Sequence, residues 1–299
     1  MTSLVFHPIY SRLELPDRHR FPVEKYQGIR NALADMGVGD EMFHQPEAVE
    51  LAQLKRVFSP GYIHDLSTNG LDKKAMRRIG FPWSEQLITR TLTAVGGTLL
   101  TAKLALEQGK ALNLTGGYHH AYANFGSGFC MVNDLYLAAL QMLQSAHINK
   151  VLIFDCDVHQ GDGTAKLASN NPHIYTVSIH GEKNFPHRKQ VSDLDFGLAK
   201  GTGDEEYLDT VDSALHLAIN TCQPDAVIYD AGVDIHIDDD LGHLNITTGA
   251  VLQRDKLVVS ACERFGLPVA GVIGGGYQRD IPALVEVHLQ LFKAFAVIA

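Results

Sequence analysis

Cysteine is scarce and scattered. Cys130, Cys156, Cys222 and Cys262 are the four in 299 residues, and none belongs to a C-x-x-C pair. Such spacing supplies neither a disulfide framework nor a thiolate zinc site, and it fits a reducing compartment. Also missing is any apolar run near the roughly 18–20 residues that span a bilayer, and Met1–Tyr10 lacks the basic start and long apolar centre of a signal peptide. No membrane partner is expected, and the expected location is the cytoplasm. Basic residues are in deficit, 25 Lys and Arg against 34 Asp and Glu for a net charge of -9. That balance argues against direct nucleic-acid binding through bulk electrostatics. No repeat, low-complexity tract or Pro/Ser-rich linker divides the chain, so residues 1–299 are expected to form a single domain.

With 45% hydrophobic and 20% charged residues the composition is that of an ordinary globular protein, and a chain this long buries roughly three-quarters of its unfolded surface. Short apolar runs recur at Ala111–Leu114, Val151–Phe154, Ile174–Ile179, Ala226–Tyr229 and Pro268–Ile273. Between them lie segments with helical periodicity, notably Ser84–Gly109 and Asp204–Asn220. Asn133 and Asp204 are expected N-caps, and Gly266 followed by Pro268 stops a helix near Phe265. This alternation predicts an α/β fold: an open, mainly parallel sheet with helices on both faces. Thr68–Trp83 and His180–Gly203 read as long polar loops.

Each apolar run is followed at once by Gly, Asp or His, and in open parallel sheets ligands bind at the carboxyl ends of the strands. In Asp155-Cys-Asp-Val-His159 alternate side chains share a face, so Asp155, Asp157 and His159 point the same way, a donor set suited to Zn²⁺ or a similar divalent ion. On its own the motif reads more simply as a solvated strand end. Gln160-Gly-Asp-Gly163 adds Asp162 on a tight turn. Gly116-Gly-Tyr-His-His-Ala121 brings two histidines, and a histidine acting as base needs a carboxylate on its far nitrogen. Asp155 and Asp162 are available partners. Asp230–Asp240 holds five acids in eleven residues; such a run is usually a solvated face, but here it follows a buried strand, so one of its aspartates could complete a ligand set with open positions for water and substrate. Gly274-Gly-Gly-Tyr277 contains no phosphate-binding motif and reads instead as a hinge presenting one phenol, Tyr277, to a developing oxyanion.

Taken together these segments resemble the histone deacetylase superfamily, with the arginase/deacetylase fold. The matching stretches are GGYHHA at Gly116–Ala121, GFC at Gly128–Cys130, DCDVHQGDGT at Asp155–Thr164, IHG at Ile179–Gly181, DAGVDIHIDDDLG at Asp230–Gly242 and GGGY at Gly274–Tyr277, in the family's order over about half the chain. The wording of DAGVD and the early His19-Arg-Phe-Pro22 look most like class IV members and their bacterial relatives. The resemblance implies Asp157, His159 and Asp239 as zinc ligands, Asp239 by its offset of five from Asp234. It implies His119 and His120 as the catalytic pair, supported by Asp155 and Asp162, and Tyr277 as the transition-state phenol. Gly128 and Phe129 would wall an acyl-lysine tunnel, with Phe185 as the facing aromatic. Asp155, Asp157 and Ser178 match part of a potassium site.

The implied activity is zinc-dependent deacylation of an acyl-lysine protein or peptide, or alternatively of a small acylated amine such as an acetylpolyamine. Two other readings are a two-manganese ureohydrolase, which the paired histidines and Tyr277 oppose, and a non-catalytic acyl-lysine binder, which should have lost a ligand or the phenol. One departure stands out: many family members carry an acidic residue on an early rim loop, and Arg77–Trp83 shows no equivalent.

Overall fold

The computed structural model describes residues 2–299. Eight strands form one sheet: β1 (Ser3–Val5), β2 (Phe43–His44), β3 (Lys110–Asn113), β4 (Val151–Asp155), β5 (Ile174–Gly181), β6 (Leu194–Leu198), β7 (Ala226–Asp230) and β8 (Val269–Val272). Every pairing is parallel, in the order β2-β1-β3-β8-β7-β4-β5-β6. The helices are α1 (Lys25–Asp35), α2 (Leu51–Leu54), α3 (Pro60–Ser67), α4 (Lys73–Ile79), α5 (Glu85–Gln108), α6 (Asp134–Met142), α7 (Asp162–Ala168), α8 (Asp204–Cys222), α9 (Thr248–Phe265) and α10 (Ile281–Ala294). The expected open parallel α/β sheet is the fold observed.

Strands buried on both faces explain the unbroken apolar runs. Val151 and Ile153 of β4, with Ala226 and Ile228 of β7, pack on the face that carries Ala102 of α5 and Ala138 and Met142 of α6. Leu152 and Phe154, with Val227 and Tyr229, pack on the other face with residues of α8, α9 and α10 such as Leu215, Val258 and Leu289. The chain steps outward from β4 through β5 to β6, then returns to β7 on the other side of β4 and continues to β8. The loops leaving β4 and β7 therefore diverge, opening a crevice at the carboxyl ends of two adjacent strands. This is the switch point at which open sheets bind ligands.

Two loop expectations are corrected. Thr68–Trp83 contains α4, which Asp72 caps by accepting from Ala75 N and which ends at Gly80 with φ of 94°. His180–Gly203 contains β6, an edge strand whose alternating half-buried and exposed residues hid it among polar neighbours. Asn133 caps α6 as expected, accepting from Tyr136 N. Asp204 is not a cap: Gly203 holds that position, and the Asp204 carboxylate instead accepts from Thr247 N and Oγ1, tying the start of α8 to that of α9. No described helix is long and apolar enough to cross a membrane.

Candidate active site

Three loops meet over the crevice. From β4 come Asp157 and His159, from β7 comes Asp234, and from β8 come Gly274–Tyr277. His159 Nδ1 lies 3.0 Å from Asp157 Oδ1 and 3.0 Å from Asp234 Oδ2, and all three residues are buried. Their remaining lone pairs are fixed by backbone: Gly275 N donates to Asp157 Oδ2, and Val158 N to Asp234 Oδ1. Two carboxylates and an imidazole nitrogen converging on one point in a dry site are the donor set of a divalent cation. Gly275 allows the approach, since a Cβ there would lie 2.2 Å from Asp234 Oδ2 and 2.4 Å from Asp157 Oδ2.

Asp234 is thus the third member of this buried donor group, and Asp239, the ligand the resemblance implies, is not among its atoms. Asp239 Oδ1 accepts from Leu241 N and Gly242 N, and its Oδ2 accepts from Tyr277 N at 2.7 Å. Asp239 in this way braces the tyrosine loop. Burial opposes ionisation of His159, but its hydrogen bonds to Asp157 and Asp234 outweigh that and raise it to about 10. Burial and Asp157 push Asp234 up to about 7.

The paired histidines sit beside this point. His119 Nδ1 lies 2.7 Å from Asp155 Oδ2, His120 Nδ1 lies 2.6 Å from Asp162 Oδ1, and the two Nε2 atoms are 3.2 Å apart. Their environments drive them in opposite directions. Burial disfavours a charged His119, yet Asp155 and Asp157 overcome it and hold the proton well above the usual imidazole range. Burial and the neighbouring His119 push His120 down to about 4. Tyr277 keeps its proton because burial, Asp157 and Asp234 raise it well above the usual phenol range.

Gly128, Phe129, Phe185, His120, His159 and Tyr277 line one cavity of about 290 Å³. Phe185 faces the His120 ring at 4.9 Å, and Phe129 lies 5.8 Å from Tyr277. Gly128 N and Phe129 N donate to Arg78 O and Ile79 O, which hangs this wall on the end of α4. A Cβ on Gly128 would come within 2.6 Å of the His120 ring. Ser178 lies beside Asp155 in the β4–β5 register, with its hydroxyl 3.0 Å from His180 Nδ1. Asp155 Oδ1 accepts from Asp157 N.

A comparison with protein families decides what this arrangement belongs to: a sequence model of the histone deacetylase domain matches residues 19–292. The chain is a member of the histone deacetylase family. Among family relatives, an uncharacterized protein of Picosynechococcus is 46% identical over 292 residues, covering 97% of both chains. Histone deacetylase 2 of Arabidopsis thaliana is 35% identical over 189 residues, 62% of this chain and 49% of that one. The acetoin utilization protein AcuC of Staphylococcus aureus is 34% identical over 199 residues, 62% of this chain and 51% of that one. These two matches span about half of those proteins. The crystal structure of the HDA15 HD domain superposes with a TM-score of 0.83 over 99% of this chain and 91% of that one, at 20% identity. That likeness speaks for the shared deacetylase fold.

Several supports of the deacetylase site were not legible in the sequence. Asp134 accepts from Gly117 N, Tyr118 N and Thr98 Oγ1 and so fixes the turn before the histidines. Arg254, fully buried on α9 beside Asp255, donates to Ala231 O and Gly232 O and pins the turn that carries Asp234. Lys25 of α1, also buried, donates to Gly274 O and Gly276 O at 3.1 and 3.3 Å and holds the tyrosine loop. Burial brings its ammonium down to about 8 against the pull of Asp234.

Proposed function

We propose that this deacetylase-family hydrolase is a zinc-dependent deacylase that removes acetyl or longer acyl groups from the lysine side chain in proteins or peptides. The observation that carries the reading is a convergence within one cavity. Two carboxylates and an imidazole nitrogen meet at its floor, a neutral histidine and an un-ionised phenol border the same space, and two aromatic rings wall it.

Asp157, His159 and Asp234 would hold the zinc, which when bound supplies a Lewis acid that polarises the amide carbonyl and acidifies water. His120, uncharged and lining the cavity, takes the proton of the attacking water on Nε2, the nitrogen that His119 Nε2 approaches to 3.2 Å and must release to that water. Asp162 on its Nδ1 fixes the tautomer and supports the charge that forms. Tyr122 also donates to Asp162 and holds that carboxylate in place. His119, kept cationic by Asp155, adds positive potential beside the reacting carbonyl. Tyr277 donates a hydrogen bond to the oxygen on which negative charge develops, and one preorganised donor of this kind is worth about 3–4 kcal/mol. As the C–N bond breaks, His120 returns its proton to the leaving amine. Phe129 and Phe185 guide the aliphatic chain and exclude water. On the family resemblance we place a structural potassium ion beside Asp155, Asp157 and Ser178, which adjoin in β4, its outgoing loop and β5.

A small acylated amine would be hydrolysed by the same steps. One observation favours the two-manganese ureohydrolase reading: His119, Asp155 and Asp230 form a second group of buried donor atoms. Against it stand the paired histidines, through which His119 engages Asp155, and Tyr277, which has no part in that chemistry. The test is hydrolysis of acetyl-lysine, long-chain acyl-lysine and acetylpolyamine substrates with and without a zinc chelator. Acyl-lysine turnover that chelation abolishes supports the proposal; turnover indifferent to chelation, or activity toward a guanidinium substrate with two manganese ions per chain, overturns it.

A further inference from the structure

In a chain of net charge -9, the mouth of the candidate active site is basic. Arg78, Lys183, His187 and His243 line the cavity beside Phe129 and Phe185, and no aspartate or glutamate is among the lining residues. They come from three separate segments: the last turn of α4, the loop after β5 and the loop after β7. Glu182, next to Lys183, is exposed and is not among the lining residues. Asp239 is bonded to the backbone of its own loop and of Tyr277, and Asp240 pairs with Arg279.

Arg78 is held for use. Its Nε donates to Gly126 O at 3.0 Å, and its guanidinium lies 4.1 Å from the centroid of the Phe125 ring, which itself stacks on Tyr122 at 4.3 Å. Neither terminal nitrogen of Arg78 forms an ion pair or a hydrogen bond among the described residues, and Lys183 Nζ likewise has no acidic partner. A guanidinium fixed through one nitrogen, with its other donors free beside a substrate opening, is built to receive a carboxylate.

We propose that this rim selects substrates that carry carboxylate groups next to the acylated amine, disfavouring lysine-rich tails and polyamines. The inference rests on the deacylase reading and names its substrate class. A cationic substrate would meet like charge from Arg78 and Lys183 before its acyl group reached the floor, whereas an acidic one gains two attractions and the donors of His187 and His243. The carboxylates could be acidic side chains flanking the lysine in a peptide or the α-carboxylate of free acyl-lysine.

The experiment measures kcat/KM for one acetyl-lysine peptide in three forms, with flanking glutamates, neutral residues or lysines, together with free Nε-acetyl-lysine. The native enzyme, Arg78→Glu and Lys183→Glu are compared at low and high salt. Because each result is a ratio within one enzyme, general damage from a substitution cancels. The expected acidic-to-basic ratio is about tenfold in the native enzyme, as two rim charges in solvent would give. It should shrink as salt screens the rim, and it should fall to about one in either variant, where one positive and one negative rim charge remain. Efficient turnover of free acetyl-lysine with no peptide ratio assigns the rim to the α-carboxylate. Equal rates for all three peptides with poor turnover of free acetyl-lysine, or a preference for the lysine-flanked peptide, overturns the proposal while leaving deacylation intact. Absence of turnover of the neutral peptide and of every other form overturns the deacylase reading itself.

Discussion

Replacing Asp234 and Asp239 by asparagine, one at a time, separates the two assignments of the third carboxylate. In Asp234→Asn the side-chain oxygen can still accept from Val158 N, as Oδ1 does at 2.9 Å, so the turn should survive. What is lost is one of two negative charges facing the ion position, where Oδ2 lies 3.0 Å from His159 Nδ1. A divalent ion about 4 Å from a unit charge gains about 8 kcal/mol at an effective dielectric constant near 20. If desolvation cancels two-thirds of that, about 3 kcal/mol remains, or about a hundredfold in zinc Kd. Asp239→Asn acts differently. Its carboxylate takes Leu241 N and Gly242 N on one oxygen and Tyr277 N on the other, and an amide can satisfy only the first set. A buried donor left facing an NH₂ group costs about 1–3 kcal/mol, concentrated in the loop that carries Tyr277. Zinc affinity, read by competition with a chromogenic chelator, should therefore collapse in Asp234→Asn and hold in Asp239→Asn, while kcat falls in both. Zinc loss in Asp239→Asn with retention in Asp234→Asn would refute the assignment.

Tyr277→Phe should bind zinc normally and lose about a hundredfold or more in kcat, the worth of one oxyanion donor; near-normal turnover removes the phenol from the mechanism. Lys25→Met strips the Gly274 and Gly276 carbonyls of their partner in a dry site, so the melting temperature should drop and kcat should fall about tenfold or more through a displaced Tyr277. Unchanged kcat in a folded Lys25→Met protein would show that the loop holds itself. His288, buried on α10 with Nε2 unpartnered, is held neutral well below the usual imidazole value by burial and by Lys25 of α1 and Arg254 of α9. A group depressed in this way takes its proton only in the unfolded chain, so the stability it allows is present above about pH 6.5 and is lost as pH falls through that value, by up to about 1.4 kcal/mol per unit. Urea unfolding from pH 8 to 5 should show a shallower loss in His288→Gln than in the native chain, and parallel curves would contradict the point.

The sheet and the rim were largely legible because β4, β7 and β8 are apolar runs that end abruptly in Asp or Gly, and Asp157 and His159, two apart just beyond β4, fall in one buried donor group. The edge of the fold was not. β1 and β2 have three and two residues, too few for a period to show. The place of Asp234 in the buried group was not legible for a physical reason: the turn after β7 curls back so that Asp234 receives Val158 N from the β4 loop, and spacing along the chain does not say which of five acids makes that contact. Lys25, Asp134 and Arg254 escaped because a charged residue on an amphipathic helix reads as solvent-facing; their burial becomes visible only once Gly274, Gly117 and Gly232 bring bare backbone groups to them.

The central claim is that one divalent ion, held by Asp157, His159 and Asp234, is required for deacylation at this cavity. Titrating zinc into the metal-stripped chain while following release of acetate from an acetyl-lysine peptide tests it most directly. The account predicts activity that rises linearly and breaks at one equivalent per chain. Full turnover before any metal is added, or a requirement for two equivalents, would contradict it.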